Sequence, residues 1–171
     1  MKFFKLILTF ILFSFSGPVF GSEKASFYTV DMNKLLKQTI VGKKLISDNN
    51  SLKKSLQNEN DTLEAELLLE EKDLSELRGS VSADEFRPKA LAFDQKVTII
   101  RLEQAQKEEK LLRQIRKKES DFYKNIYPLL YKLLSDHGGL ILLDQRNVVL
   151  WDSSVDITDE AIDMINQIYG D

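Results

Sequence analysis

The chain of 171 residues contains no cysteine, which excludes disulfide staples, thiol catalysis and cysteine-ligated metals. A lipid-anchored lipoprotein is excluded with them, because no cysteine follows the N-terminal apolar run. Histidine occurs once, at His137, so zinc of the usual kind lacks a second imidazole or sulfur ligand. Standing before Gly138-Gly139 at the end of a helical stretch, His137 reads as a cap or surface residue. Beyond the N-terminus no apolar stretch is long enough to span a bilayer. No nucleophile–base pair, phosphate-cradling glycine loop or paired-acid motif stands out, so the chain does not read as an enzyme. Asp144, Asp152, Asp156 and Asp159 lack the alternation and glycine of a calcium loop, and caps and turns account for each. No metal or other cofactor is expected.

Positive charge is also in short supply. The formal net charge is −3, and removing Lys2 and Lys5 with an N-terminal leader takes it to −5. That balance gives no reason to expect a nucleic-acid partner. The leader itself is legible: Met1-Lys2-Phe3-Phe4-Lys5 is a positive n-region, Leu6 to Phe15 an apolar core, and Ser16-Gly17-Pro18 breaks it. Residues 1–21 are therefore expected to be a signal peptide cleaved after Gly21, exporting the mature chain, with a retained anchor as the alternative.

What is abundant is helical periodicity with charge. Leu45, Asn49, Leu52, Leu56, Asn60, Leu63, Leu67, Glu70, Leu74 and Leu77 recur at steps of three and four. The extra step of four between Leu56 and Asn60 is a stutter. A second stripe runs Phe86, Ala90, Phe93, Val97, Ile100, Gln104, Glu108, Leu111 and Ile115. Between the stripes Gly79 is a stop signal and Ser82 with Glu85 fits a capping box, so Gly79, Ser82 and Asp84 are expected at the tip of the hairpin. The fold class is accordingly α+β, with residues 43–124 a long antiparallel helical hairpin that projects as a coiled-coil arm. The narrow, partly polar seam predicts arms that bend and splay.

Charge is unevenly spread along this arm. Between Glu59 and Lys89, nearest the turn, ten acids face four bases. Toward the far end of the second helix Arg101, Lys107, Lys110, Arg113, Arg116, Lys117 and Lys118 outweigh Glu103, Glu108 and Glu109. The plain explanation is a solvated face laced with i to i+4 pairs such as Glu103–Lys107 and Glu109–Arg113. The functional one is an electrostatic gradient along a binding cavity, with the basic arm base facing the bound partner.

Residues 22–42 and 125–171 supply the body. Phe27-Tyr28-Thr29-Val30 reads as a strand, Asp31 caps a short helix through Met32, Leu35 and Leu36, and Thr39-Ile40-Val41-Gly42 interrupts before the arm. Pro128 should bend the returning helix, with a new segment starting near Asn125. Gly139 to Asp144 is an apolar strand, Gln145-Arg146-Asn147 a turn, and Val148 to Trp151 the returning strand of a hairpin. Thr158 should cap a final helix through Ala161, Ile162, Ile165 and Ile168. Roughly 65 residues make a marginal core. Strands that are apolar on both faces, with open edges, also want cover from other chains. Val30, Leu140, Leu142, Val149 and Trp151 are the expected core of a β-barrel body completed by trimerisation.

The order of parts resembles the Skp (OmpH-like) family of periplasmic chaperones. The specific pieces are Val30-Asp31-Met32-Asn33-Lys34-Leu35-Leu36, the Gly139-Leu140-Ile141-Leu142-Leu143-Asp144 strand and the closing Asp156-Ile157-Thr158-Asp159, with Pro128 before an amphipathic helix. The resemblance implies a homotrimer whose three helical hairpins enclose a cavity. It also implies an ATP-independent holdase that keeps unfolded outer-membrane proteins from aggregating in the periplasm. The family's well-known members are strongly basic, whereas this chain is acidic, which argues against lipopolysaccharide or anionic-membrane contact. A structural or tethering coiled-coil protein with a single folded envelope partner is the alternative reading.

Overall fold

The computed structural model describes residues 27–170. The expected signal peptide lies outside the described residues. Strand β1 (Phe27–Val30) leads into helix α1 (Met32–Gln38), whose N-cap Asp31 accepts the Lys34 amide at 2.9 Å. Helix α2 (Ile40–Leu77) and helix α3 (Ala83–Asp136) form the hairpin; strand β2 (Ile141–Asp144) and helix α4 (Thr158–Tyr169) complete the chain.

The break before the hairpin is a single residue rather than four. Thr39 is extended, its hydroxyl donates to the Leu35 carbonyl at 2.7 Å, and it accepts the Gly42 amide at 3.1 Å. One buried side chain thus ends α1 and starts α2, so Ile40, Val41 and Gly42 are already helical. The corner is tight enough that a Cβ on Gly42 would collide with the Leu36 carbonyl oxygen. At about 1.5 Å per residue the 38 residues of α2 run roughly 57 Å.

Helix α3 does not break near Asn125: it runs without interruption through Pro128 to Asp136. Pro128 forfeits one backbone donor, at a cost of about 3 kcal/mol. Phe122, Ile126, Leu130, Leu133 and Leu134 are buried on both sides of it, and each contributes roughly 1.5–3 kcal/mol, so the common apolar stripe outweighs the proline. At the distal turn the expected capping box is present, with Ser82 N–H donating to Glu85 Oε2 at 3.2 Å and Glu85 N–H to Ser82 Oγ at 3.4 Å.

The sheet has two strands, not three. β1 and β2 pair in parallel, Tyr28 opposite Leu142 and Val30 opposite Asp144. On the other side of β1 the Thr29 carbonyl accepts the Ile157 amide at 3.0 Å, and Thr29 bridges to Asp156. β1 is therefore central and β2 is the edge. The expected hairpin strand Val148–Trp151 does not form, because Gln145–Asn147 is a 3-10 turn. A three-residue hairpin loop ordinarily ends on a residue with positive φ, and no non-glycine residue among those described adopts it. Asp144 accepts Arg146 N–H and Nε at 3.1 and 2.9 Å, and these bonds hold the tight turn that sends the chain away from β2.

Helix α4 begins at Thr158, yet Thr158 is not its cap. The preceding Ile157 makes no side-chain cap, and Asp156 Oδ1 accepts the Thr158 amide at 2.9 Å instead. Asp159 and Glu160 lie in its first turn, where their charge suits the helix N-terminus. The core lies where α1, β1, α4 and the last part of α3 meet: Tyr28, Val30, Met32, Leu35, Ile126, Leu130, Leu133, Leu134, Ile157, Ala161 and Ile165 are buried together. Gly139 completes it, since a Cβ there would come within 2.6 Å of the Tyr28 ring.

Candidate functional site

Burial along the hairpin falls off away from the core. Asn49, Leu111 and Ile115 are buried, but between Asn50 and Lys110 no residue is fully buried and the best-covered ones are only partly buried. The partly buried positions are the seam expected from periodicity, with Leu52 and Glu108 as exceptions that lie exposed. Polar seam residues carry a cost: Asn49 Oδ1 and Asn60 Oδ1 are buried without a hydrogen-bond partner among the described residues. Meanwhile Leu68, Leu69, Leu91, Ile99 and Leu102 are each more than half exposed on the arm.

Two ion pairs cross the hairpin, Lys107 with Glu59 and Lys96 with Glu70. The Glu59 carboxylate, through its hydrogen bond, raises the Lys107 ammonium above its ordinary value. Lys107 therefore reaches across the seam rather than to Glu103, while Arg113 does pair with Glu109 as the spacing suggested. Lys117 pairs with Asp121 at 2.7 Å, and this hydrogen bond holds the Asp121 carboxyl low. Arg101, Lys110, Arg116 and Lys118 are exposed with no ion pair among the described residues. At the distal turn Gly79, Ser82 and Asp84 are all exposed. Beside the turn, an open groove of about 700 Å³ is lined by Arg78, Val81, Phe86, Arg87, Leu91 and Asp94.

A larger groove, about 740 Å³, opens midway along the arm between α2 and α3. Leu67, Phe93 and Val97 lie half-buried in it, with Asp61, Glu64, Glu71, Asp94 and Arg101 exposed around them.

At the body, the five expected core residues divide. Val30 is 2% exposed and Leu142 packs partly buried against the core, but Leu140, Val149 and Trp151 are 78%, 92% and 43% exposed. They lie outside the core of the chain, because the hairpin that would have carried the last two does not form. Ile141 and Leu150 add to the same exposed apolar surface. The outer edge of β2 has no strand partner among the described residues.

One feature was missed by sequence reading. Tyr123, Tyr127 and Tyr131 recur every four residues on α3 and line an apolar groove of about 430 Å³ with Met32, Leu142 and the Asp144–Arg146 pair. The spacing of four was the available signal. Burial pushes the Tyr123 phenol up, and Arg146 holds the Asp144 carboxyl low. His137 is the C-cap of α3, with its ring 5.1 Å from Tyr28 and Nε2 2.8 Å from Glu160. Among the described residues no group of histidines and acids is arranged to hold a metal, and no helix is long and apolar enough to cross a membrane.

These parts match known proteins as follows. No curated protein matches the chain. Among solved structures, a candidate OmpH-like outer membrane chaperone from Caulobacter crescentus CB15 superposes with a TM-score of 0.78 at 16% identity, over 86% of this chain and 88% of that one. At that identity the likeness is one of fold. The family described as outer membrane protein (OmpH-like) matches residues 26–165, from the first residue before β1 to the middle of α4. A match across nearly all the described elements, on a small sheet and a long helical hairpin, places this chain in the OmpH-like family.

Proposed function

We propose that the chain is an ATP-independent periplasmic holdase that binds unfolded outer-membrane proteins between coiled-coil arms and keeps them from aggregating. The observation that carries this reading is the loss of burial along the hairpin, with no well-buried residue between Asn50 and Lys110. A helix pair that leaves its seam only partly buried, and leucines and isoleucines exposed along its length, offers many weak apolar contacts. A β-barrel client in transit has alternating apolar residues that water does not satisfy, and many weak contacts sum to strong retention with rapid local exchange.

The working form in this proposal is a homotrimer. The exposed Leu140, Ile141, Val149, Leu150 and Trp151 beside an unpaired β2 edge support it, since open edges and apolar surface of this kind are normally covered. Three bodies sharing strands would bury them, and three arms would enclose the cavity. The N-terminal leader, cleaved after Gly21, delivers the chain to the periplasm. No cofactor takes part, and the acidic charge sets lipopolysaccharide and anionic membranes aside as partners.

The test is suppression of aggregation. Purified mature protein, added without nucleotide to a denatured outer-membrane β-barrel diluted into buffer, should keep it soluble at roughly one trimer per client. No effect at any salt concentration would overturn the reading. Pull-downs that return one stoichiometric folded partner, rather than many barrel proteins, would favour a tether.

A further inference from the structure

The mid-arm groove separates charges that hold the hairpin together from charges that do not. Glu59 and Glu70 each pair with a lysine of the opposite helix, so their carboxylates are neutralised across the seam. Asp61, Glu64, Glu71 and Asp94, which border the groove, have no ion-pair partner among the described residues. Asp61 accepts only a neutral hydrogen bond, from Gln57 Nε2 at 2.6 Å. Against these four carboxylates the groove has one cation, Arg101. The hairpin gains nothing from this excess, because unpaired like charges on facing helices repel.

We infer that this groove is a docking site for extended segments of unfolded polypeptide that combine apolar with lysine or arginine side chains. Leu67, Phe93 and Val97 supply an apolar surface in a space of about 740 Å³, enough for a few side chains. The four carboxylates are opposite in charge to lysine and arginine, and an extended strand can present such residues together because its alternate side chains point the same way. Charge complementarity of this kind governs encounter rate and selectivity more than raw affinity, and it is weakened by salt. The acidic arm thereby selects which parts of a client are held. The tip groove has two cations, Arg78 and Arg87, against the one carboxylate of Asp94, so selection for cationic segments belongs to the middle of the arm.

This inference rests on the holdase reading, and one experiment separates the two. Two fluorescent peptides of about 20 residues share an alternating apolar pattern and carry lysine or glutamate at the polar positions. Their binding to the mature protein is measured by anisotropy at low and high salt, alongside aggregation suppression of an unfolded outer-membrane barrel. The lysine peptide should bind about tenfold tighter at low salt, and the preference should collapse at high salt. In a D61N, E64Q, E71Q and D94N variant, with helix content checked by circular dichroism, the preference should disappear even at low salt. Suppression without any preference between the peptides would overturn the groove assignment while leaving the holdase standing. Neither suppression nor peptide binding would overturn both. A variant that keeps the wild-type preference would also sink the inference, because the selectivity would then lie elsewhere.

Discussion

The backbone N–H of Asp31 donates to Thr158 Oγ1 at 2.9 Å, joining residues 127 positions apart. Asp31 is the N-cap of α1 and Thr158 the first residue of α4, so one hydroxyl locks the two ends of the body together. The same hydroxyl donates to Asp156 Oδ1, and Lys34 reaches Asp159 at 2.6 Å beside it. Thr158 is 1% exposed, so water does not compete for these bonds.

Thr158→Val keeps the shape and removes the hydroxyl. It leaves the Asp31 amide without a partner and Asp156 Oδ1 with only the Thr158 amide, and should destabilise the protein by about 1–3 kcal/mol. Urea unfolding followed by circular dichroism reads this as a lower midpoint with an unchanged slope. A midpoint equal to wild type would show that the two ends are held by packing alone.

The pH dependence follows from Asp156. Burial pushes its carboxyl up, but hydrogen bonds from the Thr158 hydroxyl and amide and from Gln145, with the Lys34 charge, bring it below its ordinary value of 3.8. A folded value below the unfolded one means that the stabilisation is present above pH 3.8 and is lost as pH falls through the lower folded value. Asp156→Asn retains an acceptor without the titration. Between pH 5 and pH 2 the variant should lose less stability than wild type in urea titrations. Asp121, Asp144 and Asp152 are also held low and titrate equally in both proteins, so parallel curves would remove Asp156 from the account.

Leu142 and Trp151 should respond differently to the same charge. Leu142 packs against the core, so Leu142→Asp places an unpaired carboxylate there and should unfold the body, with the loss of several kcal/mol. Trp151 is exposed in the single chain, so if the working form is the proposed homotrimer, Trp151→Asp should keep the helix content and shift the sedimenting species from trimer to monomer. A Trp151→Asp protein that still sediments as a trimer would count against the shared body.

The hairpin was legible because its signals are local. Leu56, Leu63, Leu67, Phe93, Val97 and Ile100 sit at coiled-coil spacing, and Ser82 and Glu85 satisfy each other's amides within one turn. The opening of the body was legible for the same reason, with Asp31 capping the helix that follows it. Val148 to Trp151 was misread because an apolar, β-branched run specifies only a preference for extended backbone. Its partner is a matter of tertiary structure. The mid-arm groove was half visible: composition showed the acid excess, but not which carboxylates the lysines of the other helix would take.

By itself the sequence determined what short-range physics can determine: two long helices, where they turn, the seam they share, and the acidic and basic blocks along them. Tertiary structure alone decided how the ends combine. It kept α3 continuous through Pro128, because the apolar residues on either side bury in one core. It set β1 between β2 and Asp156, and turned the chain at Gln145–Asn147 so that Val149, Leu150 and Trp151 remain uncovered. Burial and strand pairing compare residues more than a hundred positions apart, and no local pattern ranks those alternatives.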